Sequence, residues 1–251
     1  MLKKKHNDIV WFEFEKLQNY PQLRHAIFSR SGGMSKGPYF GLNLSDTVGD
    51  ENNLVQENRR MAFSAAGLPS PPASAIQVHG AHVCTLQETP EHKIPSCDAL
   101  TTNKKGVPLS IQHADCQAAI FFDPVATAIA CVHSGWRGNC QNIYKETIVK
   151  MQQQFGTKPS DLIVCISPSL GPTKAEFTNY SNELPESFWP FGDTNNYFNL
   201  WEIARWQLEQ EGVKPDHIEI AGLCTYLNPN HFYSYRRDKL CGRNLTCVWL
   251  K

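Results

Sequence analysis

The chain has no surplus of charge: 24 basic side chains face 24 acidic ones. Such a balance gives no long-range field toward nucleic acid or anionic lipid, so neither is an expected partner. The one basic cluster, Lys3-Lys4-Lys5, is short and terminal and reads as a solvated end. No apolar run approaches the roughly 18 residues of a membrane span. Ala118 to Val132 comes nearest, but Asp123-Pro124 interrupts it and makes it two strands with a turn. The N-terminal stretch through Glu15 has no apolar segment suited to a signal peptide, so a cytoplasmic location is expected. Nine cysteines, an odd number, form no C-x-x-C pair. That pattern argues for free thiols and against a disulfide framework. Nine histidines include no His-x-His, the ligand pair that multicopper sites use, so copper oxidation is not expected. A cytidine-type deaminase is not expected either, because Pro-Cys-x-x-Cys does not occur.

What is present suits one α/β domain with helices outside large sheets. At 251 residues and 41% hydrophobic content, the chain can bury a sizeable core. Apolar spacing predicts helices over Asp50–Leu68, Asn139–Phe155 and Asn199–Gly212. Strands are expected over 73–78, 82–86, 107–112, 117–122, 126–132, 161–167, 217–221 and 245–250. Runs such as Ala126-Thr-Ala-Ile-Ala-Cys-Val132 are apolar on both parities, as in strands covered on both faces. Periodicity leaves the pairing of these strands open. Cys84, Cys131, Cys165 and Cys247 lie in apolar stretches and read as small buried hydrophobes.

Three separate segments each contribute one metal-compatible side chain: His79 before Gly80, Cys116 after Ala114-Asp115, and His133 before Ser-Gly-Trp-Arg-Gly138. Two imidazoles and one thiolate suit zinc, and three protein ligands leave a fourth position open for chemistry. His79 is expected to close a strand, Cys116 to open one, and His133 to end one before a Gly-Trp-Arg-Gly turn. The alternative is a metal-free pair, with Cys116 as nucleophile and His133 as its base. Asp115 would then orient a histidine or cap a turn. His82 and His113 are spare imidazoles, and His82 is a weak ligand candidate because a strand would turn it away from His79. Arg30, Arg59, Arg137 and Arg243 sit among glycines or small polar residues, a setting in which arginine recognises phosphate or carboxylate.

Ordered motifs run nearly end to end: Ser29-Arg-Ser-Gly-Gly-Met-Ser35, Gly41-Leu-Asn-Leu44, Gln77-Val-His-Gly80, Asp98-Ala-Leu100, Ala114-Asp-Cys116, His133-Ser-Gly-Trp-Arg-Gly138, Tyr233-Ser-Tyr-Arg-Arg-Asp238 and Gly242-Arg243. With them the chain resembles the YfiH-like family, also called the laccase-domain or multicopper polyphenol oxidase family. The resemblance implies a layered α/β fold grouped with CNF-toxin-like cysteine hydrolases, and zinc bound by His79, Cys116 and His133. It implies phosphorolysis of adenosine, inosine, guanosine and methylthioadenosine, together with adenosine deamination. Purine nucleosides and phosphate are therefore the expected partners, with Arg30, Arg243 and Asn43 as candidate contacts. Some bacterial members are linked to editing peptidoglycan precursors, which would suit a Cys-His amide hydrolase; a non-catalytic purine- or metal-binding protein is a further alternative. Ser134, Gln117-Ala118 and Ser167 depart from the family's commoner residues, and Ser167 is expected near a substrate loop.

Overall fold

A computed structural model describes residues 1–251. Eleven strands form two sheets that pack face to face, with helices covering both outer faces. In chain order the strands of the first sheet are β1 (Leu2–His6), β2 (Ile9–Glu13), β3 (Leu23–Phe28), β6 (Leu109–His113) and β11 (Asn244–Leu250). Those of the second are β4 (Val83–Thr85), β5 (Ala99–Thr102), β7 (Gln117–Asp123), β8 (Ala128–Ser134), β9 (Ile163–Ile166) and β10 (Ile218–Ile220). The first sheet is antiparallel throughout, in the order β1-β2-β3-β11-β6. The second is mixed, in the order β10-β9-β7-β8-β5-β4, with β10 parallel to β9 and β4 parallel to β5.

The period-2 geometry of a strand sends alternate residues to opposite faces. On β7, Ala118, Ile120 and Phe122 enter the core between the sheets, while Ala119 and Phe121 face the helices. On β8, Ile129 and Cys131 turn inward, and Ala128, Ala130 and Val132 turn outward. Both parities are apolar because both faces are buried, as the sequence suggested. The outer face of the second sheet is covered by α3 (Ile143–Phe155) and α5 (Leu200–Gln210), through Tyr144, Ile148, Met151, Ala204 and Leu208. Helix α1 (Asn52–Ala66) covers the outer face of the first sheet beside Trp11, Phe28 and Trp249. Short helices α2 (Trp136–Cys140), α4 (Tyr180–Glu183) and α6 (Tyr235–Asp238) complete the set. No helix is long and apolar enough to cross a membrane.

Several local expectations change. The helix expected from Asn139 is two helices, because Asn142 adopts a left-handed conformation (φ 52°) and its side chain caps α3 at the Lys145 amide. The Gly-Trp-Arg-Gly segment begins α2 and is not a free turn. Strands β1 to β3 and β5 were not expected; in β1, lysines at Lys3 to Lys5 mask the pattern, yet they suit an edge strand, where charge blocks further pairing. Residues 73–78 do not form a strand. They make isolated bridges at Ala73 and Ala75, and Gln77 bonds the Gln112 backbone with its side-chain amide. The amides of Val78, His79 and Gly80 are taken by the Asp98 carboxylate, so no ladder remains to be formed there. Cys131, Cys165 and Cys247 are fully buried as expected, whereas Cys84 is only half-buried.

Candidate metal centre

The second sheet supplies the rigid part of the site. His133 lies near the end of β8 and is 2% exposed, and Cys116 stands immediately before β7, which pairs with β8. His79 comes from the loop before β4 and is exposed. The ligand atoms of the three residues lie within 4.8 Å of one another. Cys116 Sγ is 3.9 Å from His79 Nε2, and the rings of His79 and His133 meet edge-on with centroids 4.8 Å apart.

Asp98 explains why an exposed loop histidine reaches this position. Its Oδ1 accepts from His133 Nδ1 at 2.8 Å and from the His79 amide at 2.9 Å. Its Oδ2 accepts from the amides of Val78 at 3.1 Å and Gly80 at 2.9 Å. One buried carboxylate thus orients one ligand and holds the loop carrying another. His79 needs that support, since its φ of 60° is unfavourable for a residue with a side chain. Burial alone would raise the Asp98 carboxyl, but the His133 and backbone donors hold it below its ordinary value. The role was hidden in sequence because Asp98 lies far along the chain from the donors it joins, although its motif was visible. Asp115, which the sequence offered as a histidine's orienter or a turn cap, instead accepts from Thr225 Oγ1 and from the Arg236 amide, both at 2.6 Å.

The ligands are electrostatically coupled. Burial opposes ionisation of Cys116, but the charge and hydrogen bonds of His133 and His79 outweigh it and bring the thiol down to about 6. Burial likewise opposes protonation of His133, yet Cys116 and Asp98 carry it up to about 9. Each charged form favours the other, so the metal-free pair is shifted toward thiolate and imidazolium, the direction that prepares the sulfur for a cation. Gly135 keeps the centre open: a Cβ there would lie 2.9 Å from His79 Cδ2 and 3.1 Å from Cys116 Sγ.

Two cavities meet at this centre. One, of about 600 Å³, is lined by His79, Cys116 and His133 together with Lys93, Tyr235 and Arg243. The other, of about 410 Å³, adds Trp136, Arg137, Phe177 and Arg236 beside His79 and Cys116. Arg243 is held by its Nη1 on the carbonyls of Cys241 and Gly242, at 2.8 and 3.1 Å. Asn43 is fully buried and accepts from the Arg243 amide at 2.9 Å, so it supports Arg243 and does not line the cavity. Arg30 lies elsewhere, over the Tyr233 ring and bonded to the Phe40 carbonyl at 3.0 Å. Arg59 pairs with Asp46, as does Lys93, a cavity residue that sequence reasoning did not single out. His113 borders the larger cavity as a buried neutral imidazole, pushed down to about 3 by burial and then by the charge of His133. Ser167 is buried and bonds the Ala118 amide at 3.0 Å, joining β7 to the end of β9; it lines neither cavity.

A family model described as multi-copper polyphenol oxidoreductase laccase matches residues 24–251. Purine nucleoside phosphorylase YfiH of Shigella flexneri is 34% identical over 230 residues, covering 88% of this chain and 91% of that protein. The purine nucleoside phosphorylase of Bacteroides thetaiotaomicron is 29% identical over 245 residues, covering 89% and 90%. Among solved structures, YlmD from Geobacillus stearothermophilus matches with a TM-score of 0.89 at 27% identity, over 99% of this chain and 98% of that one. In fold and over nearly its whole length, the chain belongs to the YfiH-type, laccase-domain family.

Proposed function

We propose that the chain is a zinc-dependent purine nucleoside phosphorylase whose centre also deaminates adenosine. The observation that carries this reading is the three-donor centre opening where two cavities meet. The donors suit zinc: bond lengths near 2.3 Å to sulfur and 2.0–2.1 Å to nitrogen place a tetrahedral sulfur–nitrogen pair about 3.6 Å apart. Cys116 Sγ and His79 Nε2, 3.9 Å apart, need to close by only a few tenths of an ångström around an ion. Asp98 on His133 Nδ1 supplies the outer hydrogen bond that fixes a metal-ligating histidine. The relatives named purine nucleoside phosphorylase support the substrate class.

In phosphorolysis a phosphate oxygen bonds to C1′ of the ribose as the bond from C1′ to the purine nitrogen breaks. Ribose 1-phosphate forms, and the bonding electrons leave with the base. The protein must hold an anion in line with the sugar and accept negative charge on the purine. Arg243 suits the anion, since its anchored Nη1 fixes a guanidinium whose remaining donors are available to phosphate. Tyr235 borders both cavities and offers an aromatic face to a base. Zinc at His79, Cys116 and His133 would supply Lewis-acid polarisation at the junction of the cavities. Deamination uses water in place of phosphate: its oxygen bonds to C6 of adenine as the bond from C6 to the exocyclic nitrogen breaks, and ammonia leaves. Incubation of zinc-loaded protein with adenosine and phosphate, with products weighed by mass spectrometry, tests the reading. Adenine with ribose 1-phosphate is expected, with inosine marking deamination; untouched adenosine would overturn it.

The alignment of Asp98, His133 and Cys116 favours one second reading, a metal-free thiol hydrolase acting on amide bonds. Activity abolished by thiol alkylation and indifferent to chelators would select it over the zinc enzyme.

A further inference from the structure

A second group of soft donors lies outside both cavities. His82 follows the loop that carries His79, Cys84 lies on β4, and Cys97 precedes β5, which is parallel to β4. Their ligand atoms all fall within 4.8 Å of one another. Cys84 Sγ is 4.0 Å from His82 Nδ1, close to the spacing of ligands around a common tetrahedral ion. We propose that His82, Cys84 and Cys97 form a second zinc site, distinct from the catalytic centre and structural in role. Two thiolates and one imidazole are a softer set than one thiolate and two imidazoles, and suit a d10 ion such as zinc. Binding exchanges the contact of His82 Nδ1 with the Ser96 carbonyl, at 3.1 Å, for the metal. Solvent completes the coordination on the exposed side of His82.

The position gives this ion a purpose. Cys97 adjoins Asp98, and the His82 carbonyl accepts the amides of Asp98 and Ala99 at 3.1 and 3.2 Å. An ion joining His82 and Cys84 to Cys97 therefore staples the backbone beneath the carboxylate that positions His79 and His133. Both thiols are free, and binding also exchanges the contact of Cys97 Sγ with the Ala99 carbonyl, at 2.9 Å, for the metal.

The inference does not depend on nucleoside chemistry, and it is tested with the first centre disabled. Cys116→Ala protein is equilibrated with zinc, freed of excess by gel filtration, and its metal counted by elemental mass spectrometry. One equivalent is expected, falling to none when His82→Ala or Cys84→Ala is added. His82 is exposed, so its replacement should leave the fold intact, which circular dichroism verifies. Cobalt loading of Cys116→Ala should give thiolate-to-cobalt absorption that Cys84→Ala removes. A Cys116→Ala protein without zinc would overturn the site, as would one equivalent that survives His82→Ala and Cys84→Ala together. Two equivalents in the unmodified chain without nucleoside turnover would overturn the proposed function and leave the second site standing.

Discussion

The two donor clusters share the segment that carries His79 and His82 and differ in what surrounds them. His79, Cys116 and His133 open on two cavities, with a buried carboxylate holding the histidines in place. His82, Cys84 and Cys97 border neither cavity, and no carboxylate orients His82. Similar donors are therefore suited to different uses. Access to a cavity suits one cluster to chemistry, and a place beside the parallel pair β4 and β5, away from both cavities, suits the other to joining neighbouring backbone. The thiols differ in the same sense: cationic neighbours bring Cys116 down to about 6, while burial beside a second thiol pushes Cys97 up to about 12.

That contrast can be broken at its strongest point first. Cys116→Ala should remove zinc from the open centre and abolish nucleoside turnover while keeping the second equivalent; full activity in such a protein freed of metal would contradict the assignment. Asp98→Asn should lower zinc affinity or turnover by about 10–100-fold, the usual cost of losing a ligand's hydrogen-bond partner. Isothermal titration with zinc measures it, and an unchanged affinity with unchanged kcat would show that Asp98 only supports the loop. Arg243→Ala should raise KM for phosphate roughly tenfold, about the worth of one hydrogen bond to a charged group. A change confined to KM for the nucleoside would move Arg243 to the other substrate. The smallest effect is kinetic and depends on pH. A thiol lowered from 9.0 to about 6 is mostly thiolate above that value and loses charge as pH falls through it. Iodoacetamide labelling of Cys116 in metal-free protein should therefore rise through pH 6 and approach its plateau near pH 7. Cys97 should stay unlabelled over that range, and equal labelling of the two would erase the contrast.

Much of the architecture was legible along the chain because burial leaves a periodic trace. The strands at 117–123 and 128–134 are apolar on both parities, and α3 and α5 show their inward stripes. The traces fail where side chains replace backbone pairing, as at Gln77 and Asp98, or where lysines cover an edge strand, as in β1. Asn43 and Arg30 show what residue type leaves open, for neither lines the two cavities. Polar residues among glycines resemble ligand contacts in sequence, yet one supports Arg243 from within and the other stacks on Tyr233.

By itself the sequence determined the donors: which residues can bind metal, that the thiols are unpaired by spacing, and that charge offers no pull toward nucleic acid. Those are properties of composition and residue type, fixed before folding. Only the tertiary structure decided which donors meet. It chose Asp98 over Asp115 as the group that orients His133, set Arg243 at the cavity and Arg30 away from it, and brought Cys97 to His82 and Cys84. Metal coordination and hydrogen bonding act over a few ångströms, so proximity created by folding decides them.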